Sequence, residues 1–184
     1  MAQERPFDFK GVNHLALVCR DMKKTVEFYR DKLGMPLIKT INLPNNSGQH
    51  FFFDCGNGDS IAFFWFPEAP EASPGIAAPA ALPTQGNFAS AHGSMNHVAL
   101  NIPAEKFDDY YQRLIDLGIE VTPILNHDNS PSQVSAVLTE DVFVRSVYFF
   151  DPDGICLEFA AWTTVFDESD VAHEPISATE FNSA

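Results

Sequence analysis

The chain carries the same stretch twice. Residues 12–35 read VNHLALVCRDMKKTVEFYRDKLGM, and residues 95–119 read MNHVALNIPAEKFDDYYQRLIDLGI. Asn13-His14 matches Asn96-His97, Ala16-Leu17 matches Ala99-Leu100, and Leu33-Gly34 matches Leu117-Gly118. A repeat of this size restricts the fold more than any single motif, because each unit must be one supersecondary piece that buries its apolar face against the other. Each copy opens on a short apolar run that reads as a strand. Apolar residues at helical spacing follow: Met22, Val26, Tyr29 and Leu33 in one copy, Phe107, Tyr110, Tyr111, Leu114 and Leu117 in the other. Each predicted helix stops at a glycine, Gly34 or Gly118, suited to a left-handed C-cap. The rest of each copy is β-like: MPLIKTINL, HFFFDCG and SIAFFWF, then IEVTPIL, VRSVYFFD and ICLEFAAW. Phe52-Phe53-Asp54 matches Phe149-Phe150-Asp151, with hairpin turns after both.

The expected fold is α+β: two βαβββ modules packed about a pseudo-twofold axis, residues 11–66 and 94–162, forming one domain over 11–162. Residues 67–93, rich in Pro and Ala, read as a linker without an interior strand. The segment 126–141 is long for a loop, which suggests that it covers a pocket. Residues 163–184 read as a solvated acidic tail, holding Asp167, Glu168, Asp170, Glu174 and Glu180 with no Lys or Arg.

Charge and composition narrow the partners. The formal charge is −14 over 184 residues, with no Lys/Arg run, which argues against nucleic acid and against an anionic membrane surface. No apolar run approaches the roughly 18 residues that a membrane span needs, and MAQERPFDFK lacks the apolar core of a secretory signal. Cys19, Cys55 and Cys156 form neither a disulfide framework nor a CxxC site, so a reducing cytoplasm is the expected setting.

His14 and His97 occupy equivalent positions in apolar strands. Under a pseudo-twofold axis their strands become neighbours and the side chains converge. Glu158, inside ICLEFAAW, is costly in a core strand unless it is paired or ligated. Two imidazoles and a carboxylate make the facial set suited to non-haem Fe(II), with Mn(II) or another divalent metal also able to fit.

These motifs resemble the vicinal oxygen chelate superfamily, which includes glyoxalases, bleomycin-resistance proteins and extradiol dioxygenases. NHLALV, NHVALN and VYFFDPDGICLEF carry the resemblance. It implies paired βαβββ modules cupped around one metal, with His14, His97 and Glu158 at the ligand positions. Aligning the copies sets Glu158 opposite Phe63, within a residue or two. Glyoxalase I-like members usually hold a glutamate there, so a three-ligand site is implied, as in type I extradiol dioxygenases and fosfomycin-resistance thiol transferases. Val147 through Glu158 fits half of the extradiol signature, which makes Tyr148 the active-site hydrogen-bond donor. The signature's upstream histidine is missing. For the acid/base histidine of the first module the stand-ins are Asp59, His50 and His127. Alternation puts Ile61, Phe63 and Trp65 on one face of their strand, and an aromatic wall there suits a flat apolar substrate.

The implied function is metal-dependent, extradiol-like cleavage of a small aromatic diol with O2, as a cytoplasmic enzyme and possible homodimer. The alternatives are a non-oxidative lyase, isomerase or thiol transferase of the same superfamily, and a protein that sequesters a ligand without chemistry.

Overall fold

A computed structural model describes residues 6–178, so the end of the acidic tail, Glu180 included, lies outside the described residues. The first module runs β1 (His14–Cys19), α1 (Met22–Val26, continued by a π-helical turn over Glu27–Lys32), β2 (Leu37–Asn42), β3 (Gln49–Gly56) and β4 (Asp59–Trp65). The second runs β5 (Val98–Asn101), α2 (Phe107–Asp116), β6 (Leu125–His127), β7 (Val134–Ser135), β8 (Val144–Phe150) and β9 (Cys156–Trp162). The order strand, helix, strands is thus followed twice.

Local chemistry accounts for the element ends. Asp21 caps α1, its Oδ1 accepting from the amides of Lys23 and Lys24 at 3.0 and 3.2 Å. Gly34 and Gly118 take φ of +76° and +70° just past the helices, the left-handed conformation that glycine adopts without steric cost. Asn57-Gly58, both at positive φ, close the β3–β4 hairpin. The stretch IEVTPIL departs from expectation. Its Val121 makes only an isolated bridge to Phe149, and the strand forms later, at Leu125–His127. Pro123 cannot donate to a ladder, which fits the delay. The 126–141 segment is partly ordered by β6 and β7, which pair with each other.

Among the described residues the strands form two sheets, ordered β1-β4-β3-β2 and β5-β9-β8-β6-β7. β1 runs parallel to β4, and β5 parallel to β9, so the modules repeat one topology. The two first strands do not meet. Each is the open edge of its own sheet. Instead the helix-bearing faces share one core, in which Phe28, Tyr29, Phe53, Ile61 and Phe63 join Leu100, Phe107, Leu114, Val147, Phe149 and Leu157. Burying each of the large side chains contributes roughly 1.5–3 kcal/mol. A polar bond joins the modules inside this core: the Tyr29 hydroxyl donates to Asp151 Oδ2 at 3.1 Å. The opposite sheet faces, which carry His14 and His97, look away from the shared core.

Candidate metal centre

Register decides which side chains share a face, since a slip of one residue reverses a strand. In the first sheet His14 stands beside Ser60, and Ala16 beside Ala62; across β3, Ala62 stands beside Phe52 and Phe64 beside His50. In the second sheet Ala99 stands beside Glu158, and Glu158 beside Tyr148. Matching His14 to His97 therefore matches Ala62 to Glu158 and Phe52 to Tyr148. The alignment of Phe52-Phe53-Asp54 with Phe149-Phe150-Asp151 is one residue out, because the two hairpin turns differ in length. Phe63 is likewise not the counterpart of Glu158. It lies fully buried in the shared core, on the other face of β4. Ala62, like Phe, offers no ligand, so the first module still lacks a carboxylate at that position. The aromatic residues on the His14 face are Phe52 and Phe64, not Phe63.

Glu158 is only 5% exposed. His97 Nε2 lies 3.0 Å from its Oε2, and Tyr148 stands edge-on to the imidazole, ring centroids 5.5 Å apart. Burial pulls the Glu158 carboxyl upward, but His97, Ser146 and Tyr148 outweigh it and hold the carboxyl below the usual glutamate range. Ser146 Oγ, buried, makes no hydrogen bond of normal geometry, yet it is near enough to favour the carboxylate. Burial first, and the Glu158 charge second, push the Tyr148 phenol far above its ordinary range, so it remains a donor.

The donors fit a metal. His97 Nδ1 sits 2.8 Å from the Asn96 side-chain oxygen, and Nε2 faces a carboxylate. A neutral imidazole carries a single N–H and cannot satisfy acceptors at both nitrogens. A cation, either a proton or a metal ion, has to lie between Nε2 and Glu158. A ring nitrogen with a carboxylate oxygen suits a divalent transition metal.

His14 is not part of this pair. It is exposed, with Nδ1 2.7 Å from Asn13 Oδ1 and Phe52 edge-on at 5.6 Å. Among the described residues no group of three His, Cys, Asp or Glu is placed to hold a metal within one chain. The back-to-back packing of the modules explains this, since it points the two histidines away from each other.

Among the stand-ins, His50 shares the His14 face. It stacks on Phe64 at 3.6 Å and lies 4.3 Å from Phe52. Its Nε2 is buried without a partner, and burial, then His14, lowers its pKa. Asp59 lies on the other face of β4, with Ile61 and Phe63, which separates it from His14. His127 shares the Glu158 face but pairs with Val144, toward the Trp162 end of the sheet.

Two residues gave no distinct signal in the sequence. Phe88, a single aromatic in the linker, lies over His97 with ring centroids 5.7 Å apart, and edge-on to Tyr148 at 5.6 Å. Asn96 precedes His97 as Asn13 precedes His14, a repeated dipeptide whose role only the hydrogen bonds reveal. Leu82 joins Tyr148, Cys156 and Leu125 in a small cluster, so the linker covers the second module's outer face. A cavity of about 450 Å³ beside Phe28, Leu82 and Asp151 lies at the module junction and is not lined by His97 or Glu158.

Comparison with known proteins agrees with the repeat and the topology. The family model for the glyoxalase/bleomycin resistance protein/dioxygenase superfamily matches residues 11–159. The uncharacterized protein YwkD of Bacillus subtilis is 26% identical over 81% of this chain and 94% of its own. The fosfomycin resistance protein FosX of Listeria monocytogenes is 26% identical over 83% of this chain and 90% of its own. The putative ring-cleaving dioxygenase MhqE of B. subtilis is 24% identical over 61% of this chain but only 33% of its own. Among solved structures, a glyoxalase/dioxygenase from Nostoc punctiforme superposes with a TM-score of 0.58 at 20% identity, covering 89% of this chain and 99% of its own. FosX bound to Mn(II) and sulfate superposes at 0.52 with 22% identity, covering 85% and 95%. No helix among the described residues is long and apolar enough to cross a membrane. The chain belongs to the glyoxalase/bleomycin resistance protein/dioxygenase superfamily.

Proposed function

We propose that this chain is a metal-dependent enzyme acting on a small molecule with two neighbouring oxygens, and that its reaction is extradiol-type cleavage of an aromatic diol by O2. The observation that carries the reading is the buried Glu158 facing His97 Nε2 at 3.0 Å with Tyr148 beside both. His97 and Glu158 are two of the ligands, and His14 of a second copy is the third. Both β1 and β5 are open sheet edges that begin at or beside a ligand histidine. Setting the β1 edge of one copy against the β5 edge of another brings the set together, twice in a symmetric pair. A divalent ion there, Fe(II) for the oxygen-dependent reaction, supplies a Lewis-acid centre that orients the substrate oxygens.

The protein's own groups do the rest. Tyr148 keeps its proton and donates a hydrogen bond to a substrate oxygen. His50, held neutral by burial, accepts a proton from the diol as it binds. Phe52 and Phe64 give the ring an apolar wall. O2 contributes both of its atoms to the ring-opened product.

FosX similarity supports a second reading, thiol or water addition to a phosphonate epoxide. Such a substrate needs cations beside the site. Arg145 is turned to the helix side, paired with Asp108 at 2.6 Å and stacked over Phe107. Lys39, beside Phe52, is the cation on the His14 face. The aromatic pair Phe52 and Phe64 on that face is what puts the diol reading first, and Lys39 is the cation that favours the second.

Protein reconstituted anaerobically with Fe(II) is given a series of catechols in an oxygen electrode. Oxygen uptake with yellow ring-cleaved product is expected. No uptake with any diol, together with Mn(II)-dependent consumption of a phosphonate epoxide, overturns this reading for the second. If His97→Ala leaves the affinity for a bound ligand unchanged and the protein retains no metal, neither enzyme reading stands.

A further inference from the structure

The linker reaches the candidate centre through a short relay. The Asn96 side-chain amide donates from Nδ2 to the Phe88 carbonyl at 2.8 Å and, more weakly, to Ser90 Oγ at 3.4 Å. A backbone carbonyl can only accept, so the NH2 end of this amide must face Phe88. The oxygen end then faces His97 Nδ1 at 2.8 Å. An amide oxygen also only accepts, so Nδ1 must carry a proton.

Without this constraint a neutral His97 would place its one proton on Nε2. There it would make a charge-assisted bond to the buried Glu158 carboxylate. That bond occupies the nitrogen and the oxygen that a metal needs. The relay opposes it by rewarding a proton at Nδ1 instead. The Phe88 ring above the imidazole and Tyr148 edge-on to it restrain rotation that would exchange the nitrogens. In the first module, Asn13 makes the same contact to His14 at 2.7 Å, but among the described residues no acceptor is bonded to Asn13 Nδ2, and the pair is exposed.

We propose that Asn96, oriented by the Phe88 carbonyl of the linker, is a positioning residue that keeps His97 protonated at Nδ1 and leaves Nε2 for a divalent cation. The 67–93 segment is then part of the binding machinery and not only a tether. The assignment deepens the metal-centre reading and rests on it for its purpose, though the proton placement does not depend on metal.

The test uses full-length protein, 15N-labelled and stripped of metal. At neutral pH a slowly exchanging low-field His97 Nδ1–H signal is expected in the unaltered chain. Asn96→Leu, close in size but without an acceptor, should lose it. Native-like amide shifts elsewhere in Asn96→Leu guard against a variant that merely misfolds. The same proteins are titrated with Mn(II), and Asn96→Leu should bind roughly 10–100-fold more weakly, the range for partners behind a ligand. A missing signal in the unaltered chain overturns the proposal. So does its persistence in Asn96→Leu, or Mn(II) affinity within about twofold in Asn96→Leu. If the unaltered chain binds no Mn(II) while the Nδ1–H pattern holds, the positioning of His97 stands and the metal reading falls.

Discussion

At two of three matched positions the modules make different choices. The first has His14, Phe52 and Ala62 where the second has His97, Tyr148 and Glu158. The geometry is closely shared: Phe52 is edge-on to His14 at 5.6 Å and Tyr148 edge-on to His97 at 5.5 Å. One hydroxyl and one carboxylate separate an apolar face from a candidate metal centre. The surroundings differ as well. The His14 face is open, whereas the linker lies over the His97 face and fixes its asparagine. One backbone plan thus presents a single exposed histidine on one side and a covered, hydrogen-bonded His97–Glu158 pair on the other.

The largest effect expected from breaking this contrast is on metal. Glu158→Ala or His97→Ala should lower Mn(II) or Fe(II) affinity beyond the roughly 100-fold typical of losing an outer partner, whereas Ala62→Ser at the matched position should leave it unchanged. Titration of the three proteins separates the modules directly. Mixing unfolded and refolded His14→Ala with Glu158→Ala should restore about a quarter of the activity, as expected if half of the pairs are mixed and each holds one intact site. No recovery would place the three ligands outside a shared site.

The two faces of β4 should respond differently to truncation. Phe63→Ala removes a fully buried ring from the shared core and should cost about 3–5 kcal/mol by denaturant melting. Phe64→Ala, on the outward face, should cost clearly less and instead weaken binding of a planar substrate.

The matched pair Cys55 and Asp151 gives a pH signature. Burial pushes Asp151 up to about 6, while its Oδ1 accepts from the Asp153 and Ile155 amides and its Oδ2 from Tyr29. Folding favours the protonated acid. Its stabilising effect is full below the ordinary value near 3.8 and is lost as pH rises through 6, about 3 kcal/mol in all. Asp151→Asn can keep the same bonds, with the Tyr29 hydroxyl now accepting, and should flatten stability over that window. Glu158, held low, has the opposite sign: its contribution is present above the ordinary glutamate range and lost as pH falls through its lower folded value. The smallest change makes the modules alike. Tyr148→Phe should slow turnover with little effect on metal affinity.

Much of this was legible in the residues. The duplicated NH dipeptide, the helical spacing ending at Gly34 and Gly118, and the strand glutamate all lie on the surface of the sequence. What stayed hidden has physical causes. Turn length sets hairpin register, and SIAFFWF is apolar on both faces, so nothing in the pattern told Ala62 from Phe63 as the partner of Glu158. The same two-sided apolarity left open which faces pack together, and hence that His14 and His97 diverge within a chain. Phe88 sits in a stretch whose Pro and Ala content reads as a spacer. Its carbonyl, which acts on Asn96, is a backbone group and leaves no trace in composition.

In the proposed pair, the back-to-back arrangement of the modules would make each chain bivalent, with half of a binding site on either side. Metal affinity is then not a fixed property of the polypeptide. It falls on dilution, as association and binding draw on one equilibrium, and added metal in turn holds the copies together. A centre of this kind assembles only where enough of the protein has accumulated.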